Sequence, residues 1–158
     1  METKWPNLIN GYSNEGFWEL EWMNHGMCSD YPQHPLIYFN ITLNLAENHH
    51  YDPLSVLGVP PSNTNEYEID TLLENVKRNV GFYPQISCNR PLKGGKLYLQ
   101  EVRFCFTRAT PPTELQDCPD KMDNVCRLVP PQQRKVTFSL PITAISGHNA
   151  TWEALASA

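Results

Sequence analysis

The feature that most limits the folds open to this chain is a change of hydrophobic period near its middle. Ile69, Leu72, Leu73, Val76 and Val80 recur at i, i+3, i+4, i+7 and i+11, the spacing of one helical face. Lys77 and Arg78 stand near the end of that stretch, where cations complement the helix dipole, and Gly81 ends it. From Tyr83 onward the period shifts toward two. Residues 85–88 predict a short strand, 91–95 a turn, and 96–107 a long strand. On that long strand Leu97 and Leu99 fall on one face and Tyr98, Val102, Phe104 and Phe106 on the other. Residues 134–140 predict a last strand with Val136, Phe138 and Leu140 facing inward. Helices first and strands later specify an α+β protein in which an antiparallel sheet packs with helices.

The first half agrees with this class. Trp5-Pro6-Asn7-Leu8 reads as a helix end or turn, and residues 10–15 are polar and break regular structure. A proline-bounded turn at 31–35 precedes a helix over 36–46, with Leu36, Phe39 and Leu43 as its buried face. Asp52 caps, and Pro53 opens, a short helix to Leu57; residues 58–65 read as loop. The chain has 158 residues, enough for one domain that buries roughly two-thirds of its unfolded surface. Fourteen prolines, about twice the usual share of roughly 5%, imply many loops.

A net charge of −5 excludes a broad cationic track for nucleic acid, duplex DNA included, but leaves a compact site for single strands open. No run approaches 18 apolar residues, so no membrane span is expected. Five cysteines and two glycosylation sequons, at Asn40 and Asn149, point to an oxidising compartment. Met1-Glu2-Thr3-Lys4 carries no apolar run and so no signal peptide. Two expectations follow: a cytosolic protein, or a chain that begins downstream of the true start.

The chemistry gathers in Phe17 to Cys28, FWELEWMNHGMC. At helical spacing Trp18 and Trp22 share one stripe, Glu21 and His25 another. A carboxylate beside an imidazole orients the ring and favours its protonated form, as proton transfer near neutral pH requires. The plainer alternative is a solvated i,i+4 pair over two core tryptophans. Trp18 and Trp22 have the surface to stack bases, but an apolar helix more often uses such residues as core. His49-His50-Tyr51-Asp52 does not read as a metal site, because adjacent histidines diverge on most backbones. No metal or other cofactor is expected.

The wording of this segment resembles the second signature of the T2 ribonuclease family, FW-x-HEW-x-KHGTC. Phe17, Trp18, Glu21, Trp22, His25, Gly26 and Cys28 match it, whereas Leu20, Asn24 and Met27 replace its histidine, lysine and threonine. Trp5-Pro6 resembles the family's WP segment between the two signatures, so the resemblance covers Trp5 to about Leu140, roughly the last two-thirds of a full enzyme. It implies a partial domain over 1–140 without the family's first strands, followed by a tail over 141–158. It also implies two nested disulfides, Cys88 to Cys126 and Cys105 to Cys118, where the sequence alone allows three pairings of four cysteines. Cys28 is then odd, its family partner lying upstream; read without the family, it is a buried free thiol.

The family cleaves single-stranded RNA by making the 2′-hydroxyl the nucleophile and leaving a 2′,3′-cyclic phosphate. Carried over by position, His25 is one catalytic histidine and Glu21 the glutamate beside it, with Trp18 and Asn24 as substrate-binding positions. Leu20 cannot hold a phosphate, and Asn24 brings a dipole where a full charge is expected. The resemblance thus implies a secreted RNA-cleaving lineage in which this copy is weak or inactive. The alternative is a non-catalytic module that binds RNA or protein.

Overall fold

The structure, a computed structural model, describes residues 1–7, 11–89, 95–109 and 111–138. Most of the turn expected at 91–95, Leu140, the Asn149 sequon and the tail over 141–158 lie outside the described residues. Helices α1 (Asn14–Asn24), α2 (Pro35–Ala46) and α3 (Pro53–Val56) come first, and strand β1 (Ser62–Glu68) leads into α4 (Ile69–Val80). Strands β2 (Gln85–Cys88), β3 (Leu97–Arg103), β4 (Cys105–Phe106) and β5 (Leu115–Gln116) follow, then α5 (Asn124–Arg127) and β6 (Lys135–Phe138). Among the described residues no helix is long and apolar enough to cross a membrane.

The main sheet has the order β1-β6-β3-β2, and β4 and β5 form a separate hairpin. The class is α+β, as the change of period specifies. The expected antiparallel pairing holds for β1 with β6 and β2 with β3, while β6 runs parallel to β3 through Leu97 opposite Val136 and Tyr98 opposite Thr137.

Helix α4 supplies the main core. Ile69, Leu72, Leu73, Val76 and Val80 are all buried, packed with Val56, Leu57, Ile86, Val136 and Phe138. Gly81 closes the helix at φ 97°, a left-handed position that disfavours side-chain-bearing residues. Asp52 caps α3 by accepting from Leu54 N at 3.3 Å, as its sequence predicts. The Cys88–Cys126 and Cys105–Cys118 bridges form the nested pair. Beside the first, Asp123 ties three groups together: Oδ2 accepts from Ser87 Oγ at 2.8 Å and Cys88 N at 3.3 Å, and Oδ1 accepts from Cys126 N at 2.8 Å.

Five local expectations need correction. Part of the 58–65 loop is strand: Ser62 begins β1, a polar edge strand, exposed or half-buried throughout, whose partner is β6. Its sequence, SNTNEYE, gives no apolar alternation because neither face meets the core fully. On α2, Phe39 is buried and Leu43 packs against the same cluster as expected, but Leu36 is 73% exposed, and Tyr38 and Thr42 face inward in its place because an aromatic cluster sets the rotation of that helix. On β3, Ser87 pairs with Glu101 but Cys88 with Leu99, so Gln100 is an extra residue and a bulge. The bulge reverses the alternation, and Leu97, Leu99, Val102 and Phe104 all reach the same core rather than opposite faces. The expected long strand also breaks at Phe104. Finally, the free thiol Cys28 is exposed, not buried.

A second cluster unites Trp5, Phe17, Tyr38 and Phe39, with Trp18, Trp22 and Leu43 against it. Trp5 meets Phe17 and Phe39 edge to face at 6.5 and 5.5 Å, and Trp22 meets Tyr38 at 5.7 Å. Gly26 is buried just past α1, where a β-carbon would collide with the Trp22 indole. Gly26→Ala should therefore cost about 1–3 kcal/mol in urea unfolding, the usual range for overpacking. Replacing Cys88 and Cys126 with alanine should cost about 4 kcal/mol, against about 3 kcal/mol for Cys105 and Cys118, because the closed loops span 38 and 13 residues. A reversed order of the two losses in the same assay would contradict this assignment.

Candidate functional site

Helix α1 is set by its cap and by its aromatic face. Ser13 caps it, Oγ accepting from Gly16 N at 3.1 Å. Phe17 is buried against Trp5, and Trp18 Nε1 donates to the Trp5 carbonyl at 2.7 Å. The indole N–H of Trp18 is thus engaged by the chain itself, and the ring is half-buried in the aromatic cluster. With that face fixed, Glu21 and His25 come to one side, one turn apart.

The His25 Nε2 to Glu21 Oε2 separation is 4.0 Å, with the Glu21 side chain 14% exposed and that of His25 41% exposed. His25 is also the C-terminal cap of α1, its backbone N–H donating to the Glu21 carbonyl at 2.9 Å. Tyr38 lies beneath the pair, its hydroxyl pushed above the usual phenol range, first by burial and then by the charge of Glu21, with the Thr42 hydroxyl acting in the opposite sense. Thr42 Oγ1 donates to the Tyr38 carbonyl at 2.9 Å, which fixes this part of α2.

The remaining site positions face solvent. Leu20, Met23 and Met27 are 44%, 59% and 52% exposed, and Asn24 is exposed between them. Helix α1 carries Glu15, Glu19 and Glu21 and no lysine or arginine. Lys4 is paired with Glu47, and Arg108 with Asp30 at 3.0 Å. The structure therefore brings Glu21 and His25 together and places no cationic side chain of α1 beside them. Asn40 is exposed on α2.

Among the described residues one trio of potential metal ligands converges, Cys88, Asp123 and Cys126. Its two sulfurs are joined to each other, so neither is a thiolate ligand. Sequence reasoning missed Tyr38 as the floor of the site; the signal was its place three residues into α2, on the face that Phe39 also occupies.

The chain matches the Ribonuclease T2 family over residues 1–118. It is 32% identical over 121 residues to Ribonuclease 1 of Arabidopsis thaliana, covering 75% of this chain and 51% of that protein. It is 32% identical over 127 residues to Intracellular ribonuclease LX of Solanum lycopersicum, covering 75% and 49%. The chain thus spans about half the length of these curated relatives. Among solved structures, ribonuclease MC1 from bitter gourd seeds superposes with a TM-score of 0.61 and 27% identity, over 76% of this chain and 62% of that one. RNase NT in complex with 5′-AMP superposes with a TM-score of 0.62 and 26% identity, over 88% and 64%. With a match over well more than half of its length, on a fold shared with these enzymes, this chain belongs to the ribonuclease T2 family.

Proposed function

We propose that this chain is a T2 ribonuclease-type domain over residues 1–140, with 141–158 as a tail, in which the frame of the RNA site outlasts its chemistry. The lineage reaction is endonucleolytic cleavage of single-stranded RNA. A base removes the 2′-hydroxyl proton, the oxygen attacks phosphorus, and an acid protonates the departing 5′-oxygen, leaving a 2′,3′-cyclic phosphate. Such a step requires two positioned proton carriers and positive charge at the phosphorane. Here His25 is one proton carrier, with the Glu21 carboxylate one turn away. Leu20 and Asn24 supply neither a second carrier nor a charge. Trp18 and Asn24 serve as substrate contacts, the amide of Asn24 offering a hydrogen bond in place of an ion pair.

The observation that carries this reading is the retained Glu21–His25 pair at 4.0 Å on a helix without a basic residue. Loss of one acid/base partner commonly costs about 10² to 10⁴-fold, and loss of charge stabilisation about 10² to 10³-fold more. The two losses are not strictly additive. A second reading, a non-catalytic binding module, is favoured by Leu20, Met23 and Met27. Leu20 and Met23 are exposed at i and i+3 on α1, and Met27 is exposed in the turn just past it, apolar surface of the kind a protein partner covers.

The two bridges and the exposed Asn40 sequon support a secreted, glycosylated protein, as the resemblance implies; one relative is named as intracellular. Thr42 of that sequon is buried with its hydroxyl bonded, so a glycan at Asn40 has to be added before α2 packs. Expressed through a secretory pathway, the chain should lose one glycan mass on Asn40→Gln; an unchanged mass would remove this support for secretion.

The purified chain should cleave single-stranded RNA at a rate close to background, and Leu20→His with Asn24→Lys should leave it there. The measurement is release of 2′,3′-cyclic phosphate ends from a labelled oligonucleotide. Turnover near that of a full-length family enzyme, in either protein, would overturn the proposal.

A further inference from the structure

One edge of β3 lacks a neighbour at Val102. Ile86 N donates to the Lys121 carbonyl at 2.9 Å and Asp123 N to the Ile86 carbonyl at 3.0 Å, so both backbone groups of Ile86 point away from β3. In an antiparallel ladder the residue directly opposite points away as well, and Val102 stands opposite Ile86. The N–H and C=O of Val102 therefore face the other edge of β3. On that edge β6 pairs only with Leu97 and Tyr98, and among the described residues no strand lies beside Val102. The free stretch is short, bounded by the bulge at Gln100 and the break at Phe104.

Glu101 and Arg103 flank Val102 on the strand. The Val102 side chain packs against the main core, and alternation puts its two neighbours on the opposite face of the sheet. Arg103 Nη2 lies 2.6 Å from Glu101 Oε2, with the Glu101 side chain 22% and that of Arg103 31% exposed. The free edge thus carries one charge of each sign, placed symmetrically about Val102. The end strand β1 has Glu66 and Glu68 and no cation, so it has no such symmetry.

A strand edge with open backbone groups is a template for another extended strand. We propose that two copies of this chain pair through this edge, antiparallel about a two-fold axis at Val102. In that register the Val102 N–H of each copy donates to the Val102 carbonyl of the other, and Glu101 of each stands opposite Arg103 of the other. Opposite charges directly across such a pair attract, and like charges repel. An axis at Glu101 or at Arg103 would set like charges face to face, so the charges select Val102. The contact is small, which makes the association weak, with a dissociation constant on the order of 0.1–1 mM. It involves neither Glu21 nor His25 and survives or fails apart from the ribonuclease reading.

The test is sedimentation equilibrium of the full chain between about 10 μM and about 1 mM, joined to amide hydrogen exchange followed by nuclear magnetic resonance. Dimer should grow with concentration, slow the exchange of the Val102 amide, and dissolve on dilution, as a bridge through the exposed Cys28 would not. Glu101→Arg and Arg103→Glu should each weaken self-association about tenfold or more. An equimolar mixture of the two variants should dimerise again, because each supplies the charges that the other lacks. Chains that stay monomeric at about 1 mM would overturn the proposal. So would a dimer whose Val102 amide exchanges as in the monomer, or variants that associate as well alone as mixed. The concentration dependence of the unaltered chain does not depend on how the variants fold.

Discussion

Edge-to-face aromatic packing around Trp5 is the interaction on which the site depends. Trp5 touches Phe17 of α1 and Phe39 of α2, and its carbonyl holds the indole N–H of Trp18. A turn near the start of the chain thus locks the rotation of two helices, and Trp22 against Tyr38 repeats the lock one turn on. The orientation of Glu21 and His25 follows from that lock rather than from their own contact, which at 4.0 Å is at the limit of an ion pair. A contact at that distance is too weak to rotate a helix.

The site and the scaffold have therefore diverged in what they retain. The residues that pack, Phe17, Trp18, Trp22 and Gly26, keep the family wording, and each has a steric reason in the structure. Leu20, Asn24 and Met27, where the wording changes, all face solvent. Substitutions there cost the fold little, because they remove no buried contact.

What the sequence revealed and what it hid divide along the same physical line. The five apolar residues of α4 announce themselves because one face of that helix meets one core. The Glu21–His25 pair is legible from spacing alone, since i,i+4 neighbours on a helix have little choice. Strand β1 is not legible, because an edge strand with polar faces carries no alternation. The inward face of α2 is misread at Leu36 because aromatic partners distant in sequence decide its rotation. The bulge at Gln100 reverses a pattern that is regular in the sequence, and only the pairing register reveals it.

The Asp123 carboxylate has a consequence for how the cysteines find one another. It holds Ser87 and the backbone of Cys88 with one oxygen and the backbone of Cys126 with the other, across 36, 35 and 3 residues of chain. These bonds hold the backbones of Cys88 and Cys126 side by side next to the bridge itself. A clasp of this kind favours their partnership over the other pairings open to four cysteines. In a reducing compartment the same clasp would keep α5 against β2 as a hydrogen-bonded joint, so redox state would change the strength of that junction without changing its register.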